Sequence, residues 1–230
     1  MVITAVVFDL FDTLTVPYAA ARWQRAVAGM AEASGVARAA FVEAWGHLWE
    51  PVLAGGFPSI TAAVGAVCRS LGCEPSAERL AAAATCWTEG FSRPSLALRR
   101  EALPALRALR ATGTRVGLLS DSPPDVPALW RDLPAATLVD AAIFSCAARA
   151  VKPAPALYTL VCEGLGVAPA DCLYVADGVG RELTGAAAAG LTPVLFRPSD
   201  AVAPDIYRAD ALEWRGPVIT SLEEVPALLW

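Results

Sequence analysis

Residues 4–14 read Thr-Ala-Val-Val-Phe-Asp-Leu-Phe-Asp-Thr-Leu, an apolar run that stops abruptly at the acidic Asp9. A short apolar run bounded by polar residues is typical of a buried parallel strand. Similar runs recur along the chain at 115–119, 141–144, 172–176 and 192–196. Because strands of this kind are buried on both faces, the pattern predicts a parallel sheet that is covered by helices.

Helical patterns separate the apolar runs, at 101–111, 126–132, 156–165 and 182–189. Strands that alternate with helices favour an α/β fold, here a doubly wound parallel sheet with helices on both faces. The segment 16–96 differs, because it predicts four helices, near 18–34, 38–54, 59–71 and 76–91, and no strand. We therefore predict an α/β core made of 1–15 and 97–230, with an all-α domain of residues 16–96 inserted after the first strand.

The bulk composition excludes several classes of partner. The chain has 230 residues, 56% of them hydrophobic, which is enough to bury a full core. Its formal charge is -5, and no basic run could follow a nucleic-acid backbone or bind an anionic membrane. No apolar stretch reaches membrane-spanning length, and the first residues lack a secretion signal. We expect a cytoplasmic protein, monomeric or homodimeric, that binds a small-molecule substrate.

Two residue types are scarce. His47 is the only histidine and lies in a Trp-rich amphipathic stretch, so a packing or surface role is favoured over catalysis. Lys152 is the only lysine in a chain that otherwise uses arginine for positive charge. An ammonium is a compact point charge and a guanidinium is a planar fork, so the exception suggests that a point charge is needed at this position.

Polar residues follow the predicted strands at the points where each strand ends. Asp9 follows the first, Ser120 and Asp121 follow the second, and Asp177 follows the fourth, while Lys152 lies in the loop after the third. In open parallel sheets the ligand binds beyond the carboxyl ends of the strands. The sequence therefore predicts that these side chains meet in one site.

Four segments in this order carry a family resemblance: Phe8-Asp-Leu-Phe-Asp-Thr-Leu14, Leu118-Leu-Ser-Asp121, Val151-Lys-Pro153 and Tyr174-Val-Ala-Asp-Gly178 followed by Glu182. The chain resembles the haloacid dehalogenase superfamily over its whole length, particularly members with a helical cap inserted into a Rossmann-like core. The resemblance implies that Asp9 is the nucleophile and that Ser120 binds the transferred group. It also implies that Lys152 holds the nucleophile and the transferred phosphoryl group in position. It also implies a magnesium ion held by Asp9, Asp177 and Glu182.

The chemistry of these residue types agrees with the roles that the resemblance implies. A carboxylate can form a covalent intermediate and so divide one hard displacement into two, provided that its repulsion of an anionic substrate is relieved. Magnesium prefers oxygen ligands, so Asp9, Asp177 and the backbone carbonyl of Phe11 would form a suitable partial cage. Lys152 would add a second positive charge, and the Ser120 hydroxyl would donate to a phosphoryl oxygen.

The chain departs from the family pattern next to the nucleophile. Phosphatases of the family usually carry a second aspartate two positions after the first, which protonates the leaving oxygen, and Phe11 stands there instead. Asp12 occupies the place of the usual glycine, and strand-like spacing would point its side chain away from that of residue 11. Ala176 also replaces a residue that is generally glycine.

Three functions remain open on these grounds. A magnesium-dependent phosphatase acting on a small phosphorylated metabolite is favoured by Asp177, Glu182 and the lone Lys152. A metal-independent 2-haloacid dehalogenase is favoured by Phe11, since a halide leaves without a proton, and by the apolar, aromatic insertion. A binding or regulatory protein with little turnover is favoured by Phe11 together with Ala176. In each case the inserted helices are expected to close over the strand ends and set specificity.

Overall fold

The computed structural model describes residues 3–200 and 208–229. Within them, six strands form one parallel sheet in the order β3-β2-β1-β4-β5-β6. Their bounds are β1 Ala5–Phe8, β2 Arg115–Ser120, β3 Ala141–Phe144, β4 Cys172–Ala176, β5 Thr192–Phe196 and β6 Val218–Ile219. The predicted fold class, a doubly wound parallel sheet, is confirmed.

Four helices follow β1 and seven more are described after them. The first group is α1 Ala20–Ser34, α2 Arg38–Leu53, α3 Ile60–Ser70 and α4 Ala77–Trp87. The second is α5 Arg93–Ser95, α6 Ala102–Ala111, α7 Val126–Arg131, α8 Ser145–Ala148, α9 Pro155–Leu165, α10 Glu182–Ala188 and α11 Ala209–Glu213. A short 3-10 segment, Leu222–Leu229, ends the described chain. In the part of the chain that the structure describes, no helix is long and apolar enough to span a bilayer.

The central strand β1 explains why the sheet is covered on both sides. All four of its residues are fully buried, and side chains of a strand alternate between the two faces of a sheet. Val6 and Phe8 join a core that includes α6, α7 and the C-terminal 3-10 segment, whereas Ala5 and Val7 join a core that includes α9 and α10. The two helical layers are thus held by alternate residues of one apolar run.

The helical insertion has its own apolar core, formed by residues of α1, α2, α3 and α4. Trp45 and Trp87 are fully buried there, and Trp49 contacts both rings at centroid distances of 6.1 and 5.2 Å. The chain leaves and re-enters the α/β part through two adjacent segments, where Thr15 and Leu98 form an antiparallel bridge. These contacts agree with an insertion, while the assignment of residues 16–96 as a cap domain stays a prediction.

Element boundaries differ from the predicted ones in two instructive places. The fourth inserted helix is regular as α4 only to Trp87, after which the backbone widens into a π-helical turn over Thr88–Ser92 and continues into α5. The edge strand β6 was not predicted, since two residues are too few to show a strand periodicity. His47 lies exposed on α2, which agrees with the surface role and not with the packing role, the two that were predicted for it.

Two glycines test how tightly the sheet packs on α9. A Cβ atom at Gly117 in β2 would lie 3.0 Å from side-chain atoms of Leu165 and Val161 and 3.1 Å from Val7, whereas Gly46 in α2 has open space around it. We expect Gly117→Ala to lower the free energy of unfolding by about 1–3 kcal/mol through overpacking. Gly46→Ala, the matched control, should raise it by about 0.5–1 kcal/mol because alanine favours a helix. Denaturant titration measures the free energy of unfolding of both variants. An unchanged value for Gly117→Ala would contradict the close packing of β2 on α9.

Candidate active site

The register of the sheet brings the predicted site residues together at one edge. Phe8 pairs with Leu118 on one side and with Val175 on the other, so β1, β2 and β4 end at nearly the same level. The residues that follow these strand positions therefore converge. The structure places Asp9, Lys152, Asp177 and Glu182 in one cluster.

Lys152 is the centre of this cluster. Its Nζ atom lies 2.6 Å from Oδ1 of Asp9 and 2.5 Å from Oε2 of Glu182, and its side chain is only 5% exposed. Burial alone would lower the pKa of this amine, but the two carboxylates raise the pKa well above its ordinary value. Lys152 therefore remains a charged ammonium and is held by charge-assisted hydrogen bonds.

Glu182, at the start of α10, has both carboxylate oxygens engaged by the protein. Oε1 accepts from the backbone N–H groups of Gly178 and Val179 at 3.0 and 3.1 Å, and Oε2 accepts from Lys152 and from the Tyr174 hydroxyl, the latter at 2.8 Å. The side chain is fully buried. This arrangement fixes Glu182 beneath Lys152, so the carboxylate orients the ammonium.

Two tyrosines that the sequence analysis did not single out support this arrangement. Tyr174 in β4 donates to the Glu182 side chain, and Tyr158 in α9 donates to the Glu182 backbone carbonyl at 2.8 Å. Buried tyrosine hydroxyls need hydrogen-bond partners. A tyrosine inside the apolar run 172–176 was therefore a signal that a polar group lies nearby.

The acidic residues outnumber the cations near them. Burial raises the pKa of Asp9 to about 7, with Lys152 opposing the shift and Glu182 adding to it. Burial, followed by repulsion from Glu182 and Asp9, also raises the pKa of Asp177 well above its ordinary value, against the attraction of Arg208. The cluster would thus be stabilised by a further cation.

The donor set fits a hard divalent cation. Asp9, Asp177 and Glu182 offer oxygen atoms that all lie within 4.8 Å of one another, and carboxylates are the ligands that magnesium prefers. Glu182 would have to exchange one of its present hydrogen bonds in order to coordinate directly, because both of its carboxylate oxygens already accept from the protein. The carbonyl of Phe11 stays a predicted ligand.

The end of β2 contributes polar groups that are turned inward. The Ser120 hydroxyl is fully buried and lies 2.7 Å from the hydroxyl of Ser122, whose backbone N–H donates to Ser145 Oγ at 2.9 Å. Asp121 accepts the backbone N–H of Lys152 with both oxygens, at 3.1 and 3.2 Å. Asp121 thus holds the loop that presents the lysine, a role that the sequence analysis did not foresee.

The loop after the proposed nucleophile brings no second acid to the position of residue 11. The Phe11 side chain is partly buried and packs against the apolar core that contains Val6 and Phe8. Asp12 has a left-handed backbone, with φ of 60°, and its carboxylate binds Arg208, which also binds Asp177. Arg208 could not be predicted as a partner of Asp12, because the two residues are 196 positions apart in the sequence.

A parallel sheet with a carboxylate after the central strand and a buried lysine beside it agrees with the resemblance that the sequence motifs carry. A family model described as haloacid dehalogenase-like hydrolase matches residues 3–190. The chain belongs to the haloacid dehalogenase-like hydrolases, as the sequence resemblance implied.

Curated proteins to which the chain is similar include phosphatases. N-acylneuraminate-9-phosphatase of Homo sapiens is 30% identical over 90 residues, which is 39% of this chain and 35% of that protein. A phosphatase of Mycobacterium tuberculosis is 33% identical over 124 residues, which is 51% of this chain and 57% of that protein. The matched part thus spans between about a third and somewhat more than half of these curated relatives.

Solved structures with the same fold include both chemistries. The 2-haloacid dehalogenase of Pseudomonas syringae pv. Tomato aligns with a TM-score of 0.68 at 22% identity, and a haloacid dehalogenase-family phosphatase of Thermococcus onnurineus aligns with a TM-score of 0.63 at 20% identity. Each alignment covers 99% of this chain and 98% of the other. At these identities the likeness shows the fold and does not separate the two reactions.

The raised pKa of Asp9 has a consequence for stability. An unfolded Asp9 ionises near 3.8, whereas the folded group holds its proton to about 7, so folded stability falls as the pH rises between these values. Without divalent cations, we expect Asp9→Asn to be more stable than the parent at pH 7, by on the order of 2 kcal/mol, with a smaller gain at pH 4.5. Chemical denaturation in EDTA measures this difference.

The control is Asp132→Asn, which alters an exposed carboxylate at the end of α7 and should change stability little at either pH. An Asp9→Asn protein that is less stable than the parent at both pH values would contradict this prediction. The pairing of Asp9 with Lys152 would then outweigh the burial of the carboxylate.

Proposed function

We propose that the protein is a magnesium-dependent phosphatase that hydrolyses a small phosphorylated metabolite through a covalent intermediate on Asp9. One observation carries the proposal: Asp9, Asp177 and Glu182 form a largely buried acidic group, in which Asp9 and Glu182 share the ammonium of Lys152. Such a group is suited to a substrate that arrives together with a cation, and the family to which the chain belongs supplies the hydrolytic chemistry.

In the proposed reaction, Asp9 attacks the phosphorus atom of the substrate and the ester oxygen leaves. Water then cleaves the aspartyl phosphate and releases inorganic phosphate, which regenerates the carboxylate. Lys152 binds Oδ1 of Asp9, so we assign the attack to the other carboxylate oxygen. The same ammonium neutralises charge on the phosphoryl group as it is transferred.

The supporting roles follow from the contacts in the site. Asp9, Asp177 and the Phe11 carbonyl would hold magnesium, with Glu182 either coordinating after exchange of a hydrogen bond or acting through Lys152. When bound, the ion supplies charge neutralisation for the transferred phosphoryl group. We assign Ser120 to phosphoryl binding, for which its hydroxyl would have to exchange its contact with Ser122.

The second candidate is a 2-haloacid dehalogenase, and the packing of Phe11 favours it. A phenyl ring stands where a phosphatase of the family carries its general acid, and a departing halide needs no proton. In that reaction Asp9 would attack carbon instead of phosphorus, and the acidic group around Asp177 would have no evident use. We therefore place phosphoester hydrolysis first.

The two functions differ in product and in metal requirement. We expect release of inorganic phosphate from a panel of small phosphorylated metabolites, stimulated by magnesium and abolished by EDTA, and no halide from short 2-halo acids. Asp9→Asn should lower the rate by at least about a thousandfold, since an amide is a far weaker nucleophile. Halide release that persists in EDTA would instead establish the dehalogenase, and phosphate release by Asp9→Asn within tenfold of the parent would exclude the covalent mechanism.

The absence of an acid at Phe11 predicts a dependence on the leaving group. General acid assistance is worth about 100- to 10,000-fold and matters most when the departing alkoxide is a strong base. We expect aryl and acyl phosphates to be hydrolysed much faster than alkyl phosphates, with a rate that falls steeply as the leaving-group pKa rises. Phe11→Asp should flatten this dependence, and Phe11→Asn, which has similar size but no proton to give, is the matched control. Equal parent rates across a graded series of esters would show that another group supplies the proton.

A further inference from the structure

Arg208 lies between two carboxylates at the rim of the site. Its Nε atom donates to Oδ2 of Asp177 at 2.9 Å, and its Nη2 atom donates to Oδ2 of Asp12 at 2.5 Å. The three side chains are 13%, 10% and 13% exposed, so the bridge is largely shielded from water but can be reached from it. A planar guanidinium is well suited to join two carboxylates in a fixed geometry.

Asp12 is held in place for this contact. Its backbone is left-handed, a conformation that non-glycine residues adopt at some cost, although aspartate and asparagine tolerate it better than most. Thr15 Oγ1 accepts its N–H and Arg99 donates to its carbonyl, both at 3.2 Å. The chain thus fixes a carboxylate immediately outside the acidic group, with Arg208 as its partner.

Asp177 consequently faces two kinds of cation. It belongs to the group of three acids that fits magnesium, and one of its oxygens already accepts from Arg208. A guanidinium beside a metal ligand opposes a divalent ion in two ways, because it repels the ion and occupies a lone pair that the ion needs. The carboxylate of Asp12 acts in the other direction, since it draws the guanidinium away from Asp177 and adds negative charge.

We propose that Arg208 is a built-in counter-cation that competes with magnesium for Asp177, and that Asp12 sets the strength of this competition. Arg208 is thus a positioning residue that holds Asp177 before the metal binds and weakens metal binding. The inference rests on the proposed magnesium dependence and extends it to two residues outside the catalytic set.

Loss of the charge at Arg208 and loss of the charge at Asp12 should change the magnesium affinity in opposite directions. Removing the charge of Arg208 frees Asp177 and removes a repulsion, so magnesium should bind more tightly. Removing the charge of Asp12 removes a carboxylate that draws Arg208 away from Asp177 and lowers the local negative potential, so magnesium should bind more weakly. A bridge that merely held the loop together would predict weaker binding in both cases, since either change breaks the same ion pair.

The test is isothermal titration of magnesium chloride into the full chain and three variants, without substrate. We expect Arg208→Gln to bind magnesium at least about threefold more tightly than the parent and Asp12→Asn at least about threefold more weakly. Arg110→Gln is the matched control, because it breaks the ion pair of Arg110 with Asp140, away from the carboxyl ends of the strands, and should bind like the parent. Thermal unfolding in EDTA verifies that each variant is folded.

Arg208→Lys gives a second route if Arg208→Gln does not fold. Lysine keeps the charge but cannot present two N–H groups in a fork, so magnesium affinity should lie between those of the parent and Arg208→Gln. Weaker binding in both Arg208 variants, or no change in Arg208→Gln and Asp12→Asn, would overturn the inference and leave the proposed function intact. No binding to the parent or to any variant would remove the magnesium requirement itself, and the inference with it.

Discussion

Lys152 is an ammonium buried between two carboxylates, and much of the site is arranged to keep it there. A buried charge is costly unless it is paired and hydrogen-bonded. Asp9 and Glu182 provide the pairing, and Asp121 holds the lysine backbone from a neighbouring strand end. Removing any one of these carboxylates would change the position of the Lys152 ammonium. The lysine therefore couples segments that are far apart in the sequence.

The sheet makes this coupling possible because its strands end together. Val6 and Phe8 bind one helical layer and Ala5 and Val7 bind the other, so β1 cannot shift by one residue without exchanging its two faces. That constraint fixes the height of Asp9. Glu182 begins α10 just after β4, and the hydroxyls of Tyr158 and Tyr174 hold it there. The fold thus positions reactive groups through apolar packing that has no chemistry of its own.

Much of the sheet and the main polar groups could be predicted from the sequence because their signals are local. Five of the six described strands are apolar runs, and Asp9, Ser120 and Asp177 are recognisable as residues that end or directly follow them. Other features depend on contacts between distant segments. The bridge from Arg208 to Asp12 has no local pattern, the turn that ends α4 is a change in helical pitch, and β6 is too short to show a period.

The pKa of Asp9 connects the packing of the site to its chemistry. With a pKa of about 7, a substantial share of this carboxyl would carry a proton at neutral pH and could not act as a nucleophile. A second cation next to Asp9 would lower that pKa and reduce the repulsion of an anionic substrate at the same time. A 2-halo acid carries one negative charge, away from the carbon atom that is attacked, so Asp9 repels it less than a phosphate ester, and the carboxylate of Asp177 would only add to that repulsion. The excess of buried carboxylates therefore supports the proposed phosphoryl transfer with a metal ion over the displacement of a halide.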